Sequence, residues 1–210
     1  QMGQGDKEKA NRTFSLLVYT GIAVGLFLTL IGELTLTPVC RLLGASDAML
    51  PHCVTYGRIM MLGLTPFMLQ NMFQTFLVAA EKTRLGLWVT VAAGITNMGL
   101  DYLFMGPFHW GIAGAAWATT LSECVGGLIP LIYFAFPNAS LYRLCRTHWD
   151  GGAIRHTCWN GLSEFVTNIS MSVVNMLYNL QLMKYIGEDG VAAYGVIQYV
   201  AFFFVAIYIG

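Results

Sequence analysis

The chain has 210 residues, of which 56% are hydrophobic and 10% charged, with 11 Lys and Arg balancing 11 Asp and Glu. Soluble domains carry roughly 25% charged residues, so this composition and a mean hydropathy of +0.61 point to lipid as the solvent. A net charge of zero argues against a nucleic-acid partner, and the five cysteines, at 40, 53, 124, 145 and 158, lack the spacing of a metal site.

The start, QMGQGDKEKANR, is polar and charged and carries no signal-peptide pattern. A spanning helix needs ~20 mostly apolar residues. Six stretches meet that need, at about 14–37, 53–79, 85–105, 112–136, 158–183 and 191–210. The joins between them carry Gly, Pro, Asn and Asp turn signals, as in RLLGASDAMLPH, GPFHWG and YIGEDG. The fold class is therefore all-α, a polytopic membrane protein. Cys40 and Cys53 fall near one membrane face, but cysteines in apolar segments ordinarily pack rather than pair.

Lys and Arg are shared unevenly among the joins. Lys7, Lys9, Arg12, Lys82, Arg84, Arg143, Arg146 and Arg155 lie on one side; Arg41 and Lys184 lie on the other, with Arg58 just inside the second span. The positive-inside rule then places the N-terminus and loop 137–157 in the cytoplasm, and the protein in the cell membrane. The N-x-S/T triplets at Asn11 and Asn138 fall on that cytoplasmic side, where glycosylation does not occur.

The long loop is the expected boundary between two units: 1–137 with four spans, 138–157 as the loop, and 158–210 with two spans. The chain opens within a charged segment and closes at Gly210, where the sixth span is only just long enough to cross. The expectation is an internal piece of a longer membrane protein.

Polar residues inside the spans are not scattered. In the third span Gly86, Thr90, Gly94, Asn97 and Asp101 share one helical face, and Trp88, Val91, Ile95, Met98 and Tyr102 form the opposite one. The bulky face should meet lipid, and the carboxylate should face protein or a water-filled cavity. In the fifth span Glu164, Asn168, Ser172, Asn175 and Asn179 recur over about four turns, ~22 Å of helix. A stripe of that length fits a cavity wall better than a single interhelical contact, because polar groups in lipid must find partners.

The second span adds Gln70, Asn71, Gln74 and Thr75 after an expected kink at Pro66. The fourth carries Glu123 behind the small-residue run GIAGAAWATTLS, which favours close packing. Glu33 sits near the outer end of the first span and reads as snorkelling to the interface. Met60, Met61, Met68, Met72, Met98, Met171 and Met176 read singly as core filling and together as an adaptable apolar lining. Motifs for a metalloprotease, a serine hydrolase or a phosphate loop are absent from the sequence. The expectation is no enzyme, no bound metal and no cofactor.

GQGDKEKAN, LLGAS, AEKTR, NMGLD and GIAGAAWATTLSE, in that order, resemble the multidrug and toxic compound extrusion (MATE) transporters. GLSEFVTNISMSVVNMLYNLQLMKYIGEDGVAAYGVIQYV is similar to the start of the second half in the MepA-like branch of that family. The resemblance covers essentially the whole chain. It implies a parent of twelve helices in two six-helix lobes, of which these are the third to eighth. It further implies an antiporter that exports cationic, amphipathic small molecules in exchange for H⁺ or Na⁺ as the lobes rock. The full-length protein is then expected to work as a monomer, with lipid and the small-molecule substrate as its partners.

In some members a coupling site includes an Asn and an Asp four apart on the fifth helix, which Asn97 and Asp101 match. The first-helix Asp of that site has no counterpart in this sequence. Other members carry a functional Glu on the seventh helix; Glu164 lies on the matching helix about two turns earlier. Glu164, Asn168, Ser172, Asn175, Asn179, Asn71, Gln74 and Glu123 are then expected to line the substrate cavity. Two other readings stay open: a lipid-linked sugar flippase of the same superfamily, which calls for a more cationic cavity, and an intramembrane enzyme using Asp101 and Glu164 as acid and base, which calls for a nucleophile or metal cluster beside them.

Overall fold

The computed structural model describes residues 7–137, 140 and 142–209. It contains six helices: α1 (Lys7–Leu42), α2 (Leu50–Ala79), α3 (Thr83–Met105), α4 (Gly111–Ala135), α5 (Gly151–Tyr185) and α6 (Glu188–Ile209). Each corresponds to one of the six expected spans, and among the described residues no strand is present. By length and composition alone, α1 and α4 are the helices among the described residues long and apolar enough to cross a membrane.

Two helices start earlier than the apolar pattern predicts, each for a local reason. In α1 the charged residues KEKANR are helical, supported by an ion pair from Arg12 Nη2 to Glu8 Oε1 at 2.6 Å, one turn apart. In α5 the side chain of Asp150 accepts hydrogen bonds from the N–H groups of Gly152 (2.9 Å) and Ala153 (3.1 Å). This N-cap satisfies donors the first turn would otherwise leave open, so residues 151–157 are helix rather than loop. Asn138 lies outside the described residues.

The first four helices pack by letting backbones approach. α1 runs antiparallel to α2, with Gly32 against Met61, Gly25 against Thr65 and Gly21 against Met72. α2 and α4 run parallel and cross most closely: a Cβ at Gly127 would stand 2.6 Å from the Pro66 carbonyl oxygen, and Gln70 lies directly over Gly126. Thr120 Oγ1 donates to the Ile59 carbonyl at 3.0 Å across the same seam. α3 folds back on α4 through the turn at Gly106–Trp110, where the Phe104 and Trp110 rings stack at 4.8 Å. Pro66 sits inside an uninterrupted α2.

The core lies at the Lys- and Arg-rich end of this unit. Phe14 and Val18 of α1, Leu69, Phe73 and Leu77 of α2 and Phe134 of α4 form one buried cluster. Elsewhere large apolar side chains such as Leu26, Phe27, Leu30 and Leu34 point outward, as expected of helices whose solvent is lipid. All five cysteines are free thiols.

Leaving α4, the chain does not hang loose. It lies across α1 as an extended strap: the N–H of Arg143 donates to Asn11 Oδ1 at 3.1 Å, that of Leu144 to the Phe134 carbonyl at 2.9 Å, and that of Cys145 to Ser15 Oγ at 2.9 Å. Tyr142 stacks on Phe14 with ring centroids 5.1 Å apart. Beyond the strap, α5 and α6 pair mainly with each other. Leu180 of α5 reaches the α1–α2 turn, 3.4 Å from where a Cβ on Gly44 would stand.

Candidate functional site

The α3 stripe is half-buried at Gly86, Asn97 and Asp101 but exposed at Thr90 and Gly94. Trp88 and Tyr102 on the bulky face are 69% and 77% exposed, while Asn97 and Asp101 are half-buried. The stripe meets α2 at a side-chain contact: Gln74 Nε2 of α2 donates to Thr90 Oγ1 at 2.9 Å, and Thr90 in turn donates to the Gly86 carbonyl at 3.0 Å. The stripe that carries Asp101 therefore turns toward α2. Among the described residues neither Asp101 nor Asn97 makes a side-chain hydrogen bond, with the other or with a neighbour. Asp101 is thus a half-buried carboxylate one helical turn from the Asn97 amide.

Glu123 lies elsewhere, on the α4 face turned to α2. Its Oε2 would stand 2.5 Å from a Cβ at Gly63, with Thr120 Oγ1 on the same glycine at 3.2 Å. Gly63 thus makes room for the carboxylate at the tightest helix crossing. Asn71 is exposed and donates to the Phe67 carbonyl of its own helix at 2.9 Å.

The α5 stripe divides in two. At its start Asn168 Nδ2 donates to the backbone carbonyl of Glu164 (2.8 Å) and to its Oε1 (3.1 Å), and Ser172 Oγ donates to the Asn168 carbonyl at 2.9 Å. Glu164, Asn168 and Ser172 are all exposed. At its end Asn175 Oδ1 accepts from Tyr194 Oη at 3.0 Å and from Gln198 Nε2 at 3.1 Å, and Tyr178 stacks on Tyr194 at 5.5 Å. Asn175 therefore joins α5 to α6, and Asn179 remains exposed beside it.

The sequence-predicted residues do not form one cluster: Asn97 and Asp101 lie on α3 with Gln74 of α2 bonded to the same stripe, Glu123 lies in the α2–α4 seam, Asn71 bonds within α2, and the rest lie on α5. Sequence reasoning missed the tie from Asn175 to Tyr194 and Gln198, although the flanking of Gln198 by Tyr194 and Tyr199 was a signal. It also missed the ion pair of Glu33 with Arg58 at 3.8 Å. Opposite charges at the same end of adjacent spans were the available signal, so Glu33 does more than snorkel. The strap carried no signal beyond a polar, Arg-rich composition.

Comparison with known proteins fits this geometry. Residues 1–103 match the family model described as MatE. The chain is 25% identical over 197 residues to "Multidrug export protein MepA" of Staphylococcus haemolyticus (strain JCSC1435), covering 93% of this chain and 43% of that protein. It is 25% identical over 199 residues to the MepA of Staphylococcus aureus (strain bovine RF122 / ET3-1), with the same coverage. The fold superposes with a TM-score of 0.83 on the inward-facing conformation of a multidrug resistance MATE family transporter of the MOP superfamily, at 21% identity, covering 92% of this chain and 44% of that one. The chain thus spans less than half the length of the curated relatives it matches.

Proposed function

We propose that this chain is a member of the MATE (multidrug and toxic compound extrusion) family and builds part of the pathway of a secondary antiporter exporting cationic, amphipathic small molecules in exchange for H⁺ or Na⁺. In this reading Asp101 and Asn97 are the ion-coupling pair. The exposed α5 stripe, Glu164, Asn168, Ser172 and Asn179, lines the substrate cavity between the four-helix unit and the α5–α6 pair. Glu123 and Asn71 complete that lining, and Gln74 and Asn175 hold their helices in register. The N-terminus and the strap side face the cytoplasm, as the distribution of Lys and Arg supports.

The observation that carries the reading is Asp101: a half-buried carboxylate in a membrane-depth helix, without a hydrogen-bond partner among the described residues. Intramembrane carboxylates mark ion and proton paths. A group that binds an ion better in one conformation than in another shifts the balance between them. The test is efflux of a cationic dye, with the protein expressed from its complete gene in cells lacking other pumps. Efflux that collapses when the H⁺ and Na⁺ gradients are both dissipated supports antiport. Efflux that persists without either gradient overturns it.

A further inference from the structure

Two cavities meet along the first half of α1. One, of about 570 Å³, has a mixed lining that includes the charged side chains of Glu8, Lys9, Arg12 and Asp150. The other, of about 400 Å³, is apolar and lined by Tyr19, Ala23, Val24 and Phe27. Leu16, Thr147, His148 and Trp149 line both, so the two form one groove with a charged head and an apolar tail. The strap builds its far wall: once Cys145 is pinned to Ser15, residues 147–150 have to pass over α1 at this level.

We propose that this groove binds one phosphatidylethanolamine molecule from the leaflet on the Lys- and Arg-rich side, with its headgroup in the cavity of mixed lining and an acyl chain along Tyr19–Phe27. The depth of the groove fits. From Leu16 to Phe27 is eleven residues, ~16 Å at 1.5 Å each, about half of a ~30 Å hydrocarbon core and so one leaflet deep. Its position fits as well. The cavity of mixed lining lies among the charged first turns of α1 beside Trp149, a residue type that favours the membrane interface.

The charges select the headgroup. Arg12 is a cation that recognises phosphate, and its guanidinium has donors to spare after its contact with Glu8. Glu8 and Asp150 are acceptors for an ammonium; Asp150 uses Oδ1 on the α5 N-terminus and has a second oxygen. A lining with both signs complements a headgroup carrying a phosphate and an N–H-bearing ammonium together. Phosphatidylglycerol lacks the ammonium, and phosphatidylcholine lacks the N–H donors. The inference does not depend on the transport reading, because the groove contains none of the residues assigned to ion coupling or to the substrate cavity.

The test is native mass spectrometry of the purified protein released from micelles doped with one lipid at a time. Phosphatidylethanolamine should be retained as a single bound copy, about tenfold more tightly than phosphatidylglycerol or phosphatidylcholine. Glycerophosphoethanolamine, which has the headgroup without the chains, should not displace it. Arg12→Gln, and separately Ala23→Trp, should each weaken retention about tenfold while helicity by circular dichroism stays at the wild-type value. Should Ala23→Trp lower helicity, Val24→Trp on the same exposed face replaces it. Equal retention of the three lipids, or retention that ignores both substitutions, means ordinary boundary lipid and overturns the proposal. Displacement by the soluble headgroup alone means a site for the free zwitterionic headgroup and overturns it as well.

Discussion

Ser15 Oγ accepts the backbone N–H of Cys145 at 2.9 Å and lies 3.5 Å from its sulfur, across 130 residues of sequence. With Asn11 and Phe14 on the same helix, this contact makes α1 the dock for the chain leaving α4. Residues 143–145 of the segment between the two helical units are therefore anchored.

Ser15→Val should loosen that dock. It leaves a largely buried backbone N–H without its acceptor, at a cost of ~1–3 kcal/mol. Cys145 should then react faster with a maleimide, while Cys158, already exposed, should react at an unchanged rate. Phe14→Ala, which removes the ring under Tyr142 and from the core cluster, should cost ~3–5 kcal/mol and expose Cys145 further. Equal Cys145 reactivity in wild type and Ser15→Val means that the strap is not held by this bond.

Two glycines should respond oppositely to the same change. A Cβ at Gly127 meets the Pro66 backbone, which cannot turn away as a side chain would. Gly127→Ala should therefore separate α2 from α4, costing ~1–3 kcal/mol. Nothing lies within 4 Å of a Cβ at Gly94. Gly94→Ala should keep or raise stability, by up to ~1 kcal/mol, because alanine restricts the unfolded chain. Thermal midpoints in one detergent compare them directly; a Gly127→Ala variant as stable as wild type would show that the seam is not this tight.

The orientation is read by single-cysteine labelling in a background without the native cysteines. Probes replacing Asp47 and Asp189 should react with a membrane-impermeant reagent from outside intact cells. Probes replacing Thr83 and Thr147 should react only after the membrane is opened. The reverse pattern would invert the side on which the strap and the lipid groove lie.

The helices were legible in the sequence because membrane spans announce themselves by length and apolar run. The lipid-facing side of α3 was legible because Trp88, Ile95, Met98 and Tyr102 fall at helical spacing. What escaped depends on contacts distant in sequence. Asn11 reads as half of a glycosylation triplet until the strap lies over it, and Ser15 as one more residue of an apolar helix. WDGG reads as loop until Asp150 is seen capping α5. The candidate site was legible as a set of stripes; which members bond within a helix, as Asn168 with Glu164, and which bond across helices, as Asn175 with Tyr194, is fixed by packing.

Asp101 is the sharpest test of function. Its stripe is joined to α2 by the Gln74–Thr90 contact, and no neighbour among the described residues occupies its oxygens. A carboxylate kept for packing would be expected to accept a hydrogen bond from an adjacent helix, as Asn175 does from α6. Asp101→Asn keeps the size of the side chain and removes the charge, so it separates shape from ion binding. It should leave expression and thermal midpoint near wild type, since no contact is lost, and lower gradient-driven dye efflux by about tenfold or more, the factor for ~1.4 kcal/mol of lost ion affinity. Asp101→Glu retains the charge one methylene further out and should keep part of the efflux. Asn97→Ala, on the same face one turn away, should move the pH or Na⁺ dependence of efflux without unfolding the protein. Gln74→Leu should act at a distance: it breaks the α2–α3 contact, lets the stripe rotate, and lowers efflux while Asp101 is still present. If Asp101→Asn pumps at the wild-type rate across the whole pH and Na⁺ range, the carboxylate is not the coupling group and the pathway must take its ion elsewhere, with Glu123 and Glu164 as the next carboxylates to neutralise.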